Sequence, residues 1–505
     1  MIPLFSFFSK RSAGVGEFPD LVTLADWAKA CGLSLIQLLP LNDVGGRFCP
    51  YDAESSFALE PMHICLEDVE GVPSKPYSRR IAALRSSIAA DPYWLDPKVK
   101  DGKLRILRDM FTAGGDKKSR ALEDFKRKNR YWLPDYALYR ALKREHGQRS
   151  WEDWPAPLKD RDRAALVAAR MSHQDEIAFQ TWLQWQASRQ LKRASGVLRK
   201  KGVHLVGDLP FLVSRDSADV WAHRDHFKLG LSSGAPPDMY FEDGQEWGMP
   251  PYDWDRLAAT GYEYLREKLS YAGGFYDLYR IDHFVGLLRV WVFPRDGHDK
   301  KKRAYFDPPG ETAWEGQARG ILDAMTQGTD MLPCAEDLGT VPDLARELLE
   351  EYGIPGMEVQ RWTRDWKGSG EFLTPDRYRA IAISTLSTHD MGPFLQWWRE
   401  EATEEDKVRF ARFTSLSAAG EPEWLAAALK LACESASIFS IHSFQDWLSL
   451  TGVFRGESRF WRVNRPGIVH EMNWRLRAPE AVETWMNPAS VRVVREIVRA
   501  CGRLC

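Results

Sequence analysis

Short apolar segments recur along the chain, and most are followed by a stretch with the apolar spacing of a helix. These segments lie at 35–41, 203–211, 278–284, 331–339, 357–362, 381–390 and 438–448. Strands that are apolar on both faces and alternate with helices are typical of a parallel sheet covered by helices. The pattern therefore predicts an α/β fold.

An eighth, weaker apolar segment lies at 58–66. With it, the chain holds about eight strand–helix units, which favours a closed (β/α)8 TIM barrel over an open doubly wound sheet. No GxGxxG or GxxxxGK[ST] motif follows any of these segments, so dinucleotide-binding and P-loop functions are not favoured.

The spacing of the segments also predicts two insertions in a single catalytic barrel that spans 1–505. Between about 67 and 170 the sequence is charged, contains tryptophan and has helical periodicity, which indicates a helical insertion at the barrel mouth. Between about 224 and 270 lies a second insertion, which we expect to be a loop between the third and fourth strands.

Charge and composition exclude several classes of partner. The chain has 69 basic and 71 acidic residues and a formal net charge of −2, so no overall field would attract nucleic acid or an anionic membrane. No apolar run reaches the roughly 18 to 20 residues that span a bilayer, and the first residues lack a signal-peptide pattern. The seven cysteines are scattered, without a CxxC pair. We therefore expect a cytoplasmic protein with no zinc site and no nucleic-acid or membrane partner.

The chain is rich in tryptophan, with 21 residues of this type. Buried tryptophans pack cores in many proteins, but flat aromatic faces also stack on the apolar faces of sugar rings. Composition alone leaves both explanations open.

Acidic residues follow the ends of four predicted strands. They are Asp208, Asp282, Glu336 with Asp337, and Asp390, which His389 precedes. In a (β/α)8 barrel, catalytic groups lie at the carboxyl ends of the strands. Any one of these acids could be a helix cap or a structural ion pair, and Asp337 fits such a role best. Four strands that bring acids to one rim favour a functional reason, because like charges repel.

Arg280 and Asp282 are two residues apart on a predicted strand, so their side chains share a face. There Arg280 would keep Asp282 ionised, as a carboxylate nucleophile requires. Glu336 would then be the acid of a glycoside-cleaving pair, which requires a raised pKa. His283 faces the other way, where packing explains it at least as well as catalysis. Because no His/Cys cluster has ligand spacing, we expect no metal and no cofactor.

At these residues the chain resembles the amylomaltases, or disproportionating enzymes, which are 4-α-glucanotransferases of the α-amylase clan. The similar segments include SAGVGEFPDL (12–21), LIQLLPLNDVGG (35–46), PYDAESSFALEP (50–61), GDLPFLVSRDSADVWAH (207–223), PPDMYFEDGQEWGMPPYDWD (236–255), YRIDHFVG (279–286), AEDLGTVP (335–342), GIPGMEV (353–359), STHD (387–390) and VNRPG (463–467). They cover nearly the whole chain. The three motifs RxD, E and HD, taken together, are specific to the α-amylase clan. The longer motifs GDLPxxV, PPDxxxxxGQxWG and RIDHF narrow the resemblance to this family within the clan.

The resemblance implies transfer of α-1,4-glucan segments between maltodextrins by a retaining double-displacement mechanism. It implies that Asp282 is the nucleophile, Glu336 the acid/base and Asp390 the stabiliser of the transition state, with Arg280 and His389 as supporting residues.

The resemblance also implies substrate contacts outside the catalytic set. Asp208 matches an acid that binds substrate, and Tyr51, Asp238 and Trp247 match loop residues that line the glucan groove.

Three positions and the tail HEMNWRLR (470–477), which differs from the NWxWR form, depart from the usual family pattern without removing a catalytic acid. Val285 replaces the arginine of RIDHFRG, Met249 replaces the asparagine of WGNP, and Met391 begins an apolar segment after the THD motif.

Two other functions fit parts of the pattern. A starch or maltodextrin hydrolase of the same clan would use the same three carboxylates, but it would create new reducing ends. An inactive glucan-binding homologue would keep the barrel, but such a relative usually loses one of Asp282, Glu336 and Asp390, and this chain has all three.

Overall fold

The computed structural model describes residues 1–86, 91–114, 119–237, 242–296, 303–416, 419–455, 457 and 461–503. The strands in these ranges are β1 (Leu35–Gln37), β2 (His204–Leu209), β3 (Leu231–Ala235), β4 (Gln245–Glu246), β5 (Leu278–Ile281), β6 (Val290–Pro294), β7 (Tyr305–Asp307), β8 (Leu332–Ala335), β9 (Gly356–Val359), β10 (Ala382–Thr385) and β11 (Phe439–Ser440). The α-helices are α1 (Asp20–Cys31), α2 (Ser78–Ser86), α3 (Lys98–Gly114), α4 (Arg120–Lys128), α5 (Leu133–Glu145), α6 (Ala156–Lys159), α7 (Arg163–Ser172), α8 (Gln174–Lys200), α9 (Ala218–Ala222), α10 (Trp254–Ala259), α11 (Glu263–Ala272), α12 (Glu311–Gln327), α13 (Asp343–Glu351), α14 (Phe394–Gln396), α15 (Glu404–Thr414), α16 (Glu421–Cys433), α17 (Phe444–Leu450), α18 (Val482–Trp485) and α19 (Pro488–Ala500).

Parallel strands alternate with helices around a barrel. They form two sheets, in the orders β1-β2-β5-β8 and β9-β10-β11, and every pairing within these sheets is parallel. The two sheets meet where the Ala335 N–H donates to the Pro355 carbonyl at 2.8 Å. The α/β prediction is therefore confirmed.

The first two residues fill the remaining position of the barrel. The Ile2 N–H donates to the Gln37 carbonyl at 2.8 Å. The amine of Met1 donates to the His442 carbonyl at 2.6 Å. Because these bonds link β1 to the residues that follow β11, the backbone closes into a ring of eight segments.

The prediction of a strand at 58–66 is wrong. Within this segment Pro61–His63 forms a 3₁₀ turn, and Leu59 makes an isolated antiparallel bridge. The proline has no N–H to donate to a ladder, and the Glu60 side chain accepts from the backbone of the turn. The segment therefore packs beside the barrel as a turn and not as a strand.

The barrel interior is layered along the strand direction. An apolar layer consists of Val206, Leu278, Cys334, Ile383 and Ile441. Two residues further along, the same inward-facing positions carry Asp208, Arg280 and Glu336, because residues two apart on a strand share a face. The interior thus changes from apolar to charged at the carboxyl ends of the strands.

A third sheet, with the order β4-β3-β6-β7, is antiparallel, and its strands β3 and β4 lie in the stretch 224–270 that was expected to be a loop. Its pairings include β3 with β4, where the Trp247 N–H donates to the Ser233 carbonyl at 2.8 Å. At Gly234 a Cβ would lie 1.8 Å from the Gln245 carbonyl oxygen, so only glycine allows this close approach. The sheet holds the Trp247 backbone in place.

Helices α2 to α7 occupy the stretch that the sequence analysis assigned to a helical insertion. The long helix α8 packs against α1, α3 and α5 and leads into β2. Within the described ranges, no helix is both long and apolar enough to cross a membrane.

Core packing accounts for most of the tryptophans. Trp182 and Trp221 are fully buried and Trp485 nearly so, whereas Trp362 and Trp366 are exposed. The explanation based on sugar stacking therefore applies to few of these residues.

Candidate active site

One guanidinium group holds three acids at the carboxyl ends of β2, β5 and β8. Arg280 Nη1 donates to Asp208 Oδ1 at 2.6 Å and to Asp282 Oδ1 at 3.0 Å. Nη2 of the same side chain donates to Glu336 Oε2 at 2.6 Å. The β2–β5 register places Asp208 opposite Arg280, which brings the acid to the guanidinium. The Arg280 side chain is only 4% exposed, so these ion pairs form in a medium of low dielectric constant.

The two acids of the proposed catalytic pair have opposite pKa shifts. Burial, together with the charges of Glu336 and Asp208, raises the pKa of Asp282 to about 7, although Arg280 opposes the rise. Burial also acts to raise the pKa of Glu336, but Arg280 and the His283 N–H outweigh it and lower the pKa.

These directions are the reverse of the sequence-based expectation, in which Arg280 ionised Asp282 and Glu336 had the raised pKa. The physical reason is the position of the guanidinium. Nη2 lies 2.6 Å from Glu336, whereas Nη1 lies 3.0 Å from Asp282 and is shared with Asp208. In this arrangement Asp282 has the higher proton affinity of the two acids.

Backbone N–H groups complete the contacts of these two acids. The Phe211 N–H donates to Asp282 Oδ2 at 3.3 Å, and the His283 N–H donates to Glu336 Oε2 at 3.1 Å. His283 has a φ of 46°, which is uncommon for a residue other than glycine. Its ring packs edge-on against Trp247 at 5.0 Å between centroids, which agrees with a packing role for this side chain.

Asp390 lies in a separate network at the end of β10. Its Oδ2 lies 3.3 Å from His389 Nε2, and its Oδ1 accepts from Asn464 Nδ2 at 2.6 Å. Burial acts to raise the pKa of Asp390, but His389 and Asn464 outweigh it and lower the pKa to about 2. In turn, the charge of Asp390 raises the pKa of His389 against the effect of burial. Asp390 is therefore ionised over the whole neutral range.

Tyr51 connects the two networks. Its hydroxyl donates to Asp208 Oδ2 at 2.7 Å, and its ring stacks on His389 with centroids 5.0 Å apart and planes at 16°. One side chain thus fixes the position of Asp208 relative to that of Asp390.

Two of the other residues that the sequence singled out lie outside the two networks of Arg280 and Asp390. Asp337 does not cap a helix: it accepts from the Met357 N–H at 2.6 Å and pairs with Arg379 at 2.8 Å. Trp247 is half-buried beside His283. Asp238 lies outside the described residues.

Two side chains that act on this site were not predicted from the sequence. Asn464 lies in the VNRPG segment that carries part of the family resemblance, but nothing in its spacing indicated a bond to Asp390. Lys268 is buried on α11, and its contact with the site runs through a backbone group, which no side-chain pattern reveals. Across the described ranges, no group of three or more His, Cys, Asp or Glu side chains is placed to hold a metal ion.

Comparison with known proteins gives the family of this chain. A family model described as 4-alpha-glucanotransferase matches residues 2–483. The chain belongs to the 4-alpha-glucanotransferase family. The match confirms the prediction that the chain is a 4-alpha-glucanotransferase, in preference to a hydrolase of the same clan or an inactive glucan-binding homologue.

Similar members of the 4-alpha-glucanotransferase family cover almost the same length. A 4-alpha-glucanotransferase from Chlamydia caviae is 34% identical over 491 residues, which is 95% of this chain and 90% of that protein. One from Thermus thermophilus is 30% identical and covers 94% of this chain and 93% of that protein. The fold is similar to that of an amylomaltase from Streptococcus agalactiae in complex with acarbose, with a TM-score of 0.87, 24% identity and coverage of 100% of this chain and 99% of that one.

The positions at which this 4-alpha-glucanotransferase departs from the usual pattern lie within a few residues of His283, Trp247 and Asp390 along the chain. Val285 is buried in the short 3₁₀ helix that follows His283. The Met249 carbonyl accepts from the Ser233 N–H at 2.7 Å, and the Met391 N–H donates to the Thr388 carbonyl at 3.2 Å.

Proposed function

We propose that this 4-alpha-glucanotransferase acts by retaining double displacement, with Asp282 as nucleophile, Glu336 as acid/base and Asp390 as stabiliser of the transition state. The observation that carries the proposal is the Arg280 guanidinium that bridges Asp282 and Glu336 at the barrel mouth. A retaining mechanism requires two carboxyl groups close together on either side of the scissile bond. The substrates are α-1,4-glucans of the maltodextrin type.

The first step breaks the glycosidic bond. The proton of the acid pair moves to the glycosidic oxygen through Glu336, and a carboxylate oxygen of Asp282 forms a bond to the anomeric carbon. The leaving chain departs with the proton, and a covalent glycosyl–enzyme remains. Asp390, ionised because its pKa is about 2, stabilises the positive charge that develops on the ring.

The second step reverses the first with a new partner. Glu336, now a carboxylate, takes the proton from the 4-hydroxyl of an acceptor sugar, and the acceptor oxygen displaces Asp282 from the anomeric carbon. Protons and bonds balance over the two steps, and the number of glycosidic bonds is unchanged.

The resting distribution of protons must change when the donor binds. The pKa of Asp282 is raised and that of Glu336 is lowered, so the nucleophile has the higher proton affinity in the empty site. We infer that donor binding reverses this order of proton affinity, so that Glu336 carries the proton when the glycosidic bond breaks. Such a shift couples activation of the nucleophile to occupation of the site.

Transfer instead of hydrolysis requires that an acceptor outcompete water. Water is present at about 55 M, and a well-positioned acceptor reaches effective molarities of roughly 10⁵ M or more. We infer that Trp247 contributes a stacking face for the acceptor. Tyr51 acts mainly on the catalytic residues, because its ring stacks on His389 and its hydroxyl binds Asp208. Asp238 stays a proposed groove residue on the strength of the resemblance.

The remaining expectations are also proposals. We infer a cytoplasmic enzyme whose insertions, at about 67–170 and 224–270 of a single 1–505 barrel, shape the glucan groove. The free thiols of the six cysteines in the described residues support a reducing compartment.

Trapping of the intermediate tests the mechanism. In Glu336→Gln, maltosyl fluoride still reacts because fluoride leaves without protonation, but the acceptor is no longer deprotonated. We expect a maltosyl adduct on the peptide that contains Asp282, detected by mass spectrometry. Asp282→Asn treated in the same way is the control and should carry no adduct. An adduct on another carboxyl group, or inverted stereochemistry of the product, would refute the assignment.

A further inference from the structure

Lys268 of α11 carries a buried charge next to the active site. The residue is 7% exposed, and its ammonium donates to the carbonyl oxygen of Pro210 at 2.7 Å. It lines a largely apolar cavity of about 30 Å³, together with Pro210, Phe211, Trp254, Ile281 and Met325. An apolar side chain of the same length would avoid the cost of burying a charge, so the ammonium calls for a specific reason.

The carbonyl that Lys268 binds belongs to the same peptide group as an N–H that binds the nucleophile. Pro210 supplies the C=O of this peptide and Phe211 supplies its N–H, which donates to Asp282 Oδ2 at 3.3 Å. A peptide group is planar and dipolar, so a cation at its oxygen fixes its orientation and strengthens its N–H as a donor. The charge of Lys268 thus reaches Asp282 through one peptide.

Within the described residues, the charges that act on the Lys268 ammonium are carboxylates. They are Asp219 on α9, Asp208 on β2 and Asp282 after β5. Burial lowers the pKa of Lys268 to about 8, and these three carboxyl groups oppose the fall. Lys268 is therefore mostly protonated at pH 7.

We propose that Lys268 is a positioning residue for catalysis, which holds the Pro210–Phe211 peptide so that its N–H favours the ionised form of Asp282. Arg280 holds Oδ1 of the same carboxyl group, and the peptide holds Oδ2. The inference rests on the proposed role of Asp282 as nucleophile.

A positioning role for Lys268 predicts a change in the pH profile, which a purely structural role does not. Loss of the positive charge makes Asp282 more basic, so the proton of the acid pair moves further from Glu336 towards Asp282. The productive form, in which Glu336 is protonated and Asp282 is ionised, becomes rarer. A tenfold drop in its population corresponds to a rise of about one unit in the higher pKa of the pair. A drop in kcat/KM and a rise of the basic limb of its pH profile are therefore linked.

The test compares variants of the full chain by the pH profile of kcat/KM with maltotriose, from pH 5 to 10. Lys268→Met removes both the donor and the charge, and Lys268→Gln keeps a donor without the charge. For Lys268→Met we expect kcat/KM to fall about tenfold and the basic limb to move up by about one pH unit, since one pKa unit corresponds to a factor of ten. Lys268→Arg should keep the limb near that of the wild type, and Lys192→Met, at an exposed lysine, is the matched control.

Three results would overturn the inference. The first is a lower kcat/KM in Lys268→Met with the basic limb unmoved, which would indicate a structural role only. The second is wild-type activity in both uncharged variants. The third is that both uncharged variants fail to fold while Lys268→Arg folds, because the charge would then serve the fold. Full activity of Asp282→Asn would instead refute the proposed function itself, so the two failures are distinguishable.

Discussion

Replacement of Arg280 by methionine is the most informative single change at this site. The wild-type guanidinium makes three short contacts, at 2.6, 3.0 and 2.6 Å, to carboxyl groups that cannot all turn to solvent. Methionine keeps the length and the apolar stem but leaves the acids without a cation. Removal of one partner from a buried ion pair costs about 3–5 kcal/mol, so we expect the free energy of unfolding at pH 7 to fall by about that amount.

The loss should depend on pH in a defined direction. In Arg280→Met the cation that opposes protonation of Asp282 and Glu336 is lost, so their folded-state pKa values rise above the unfolded values of about 4. Between those unfolded values and the raised folded ones, the folded variant binds more protons than the unfolded chain. Its stability therefore increases as the pH falls through this range. The destabilisation relative to wild type should be larger at pH 8 than at pH 5.

Urea unfolding followed by circular dichroism at pH 5 and pH 8 measures both quantities. Arg280→Lys is the control, because it keeps a charge but cannot form the fork with three acids. We expect it to lose less stability than Arg280→Met while activity still falls by about 10²-fold or more, as is typical when a positioned group is misplaced. A loss below about 1 kcal/mol in Arg280→Met, the size of a surface ion pair, would refute the reasoning, as would a loss that is equal at the two pH values.

Three further changes test other parts of the site. Tyr51→Phe removes the donor to the buried Asp208 but keeps the stacked ring, so thermal unfolding should show a loss of about 1–3 kcal/mol, and unchanged stability would contradict the contact. Asn464→Ala should raise the pKa of Asp390, so the acid limb of the pH–activity profile should move to higher pH while activity at pH 7 changes little; an unmoved limb would count against this. Trp247→Ala should increase the share of maltotriose that is hydrolysed, measured as new reducing ends per bond cleaved, whereas an unchanged share would remove Trp247 from acceptor binding.

The periodicity of the sequence was sufficient to predict the barrel and to predict that the acids meet at one rim of it. Strands such as β2 and β5 are rich in apolar residues and largely buried, and the spacing of Arg280 and Asp282 determines which side chains share a face. The eighth barrel position could not be predicted, because Met1 and Ile2 are too few residues to show a period. Their place depends on hydrogen bonds to residues far along the chain.

The order of proton affinities could not be predicted either. It depends on which nitrogen of Arg280 lies nearest to each acid, a difference of a few tenths of an ångström that spacing does not contain. Lys268 was missed for a related reason, since its contact with Asp282 runs through a backbone peptide. A sequence pattern shows which side chains share a face of a strand or helix. The order of proton affinities and the contact of Lys268 depend instead on backbone groups and on small differences in distance.

The central claim is that the chain transfers glucan segments instead of releasing them to water. The direct test is incubation of the pure protein with maltotriose alone, with products separated by chain length and reducing ends counted over time. We expect glucose together with maltodextrins longer than the substrate, while the total of reducing ends stays nearly constant. A rise of one reducing end for every bond cleaved, with no chain longer than maltotriose, would contradict the account.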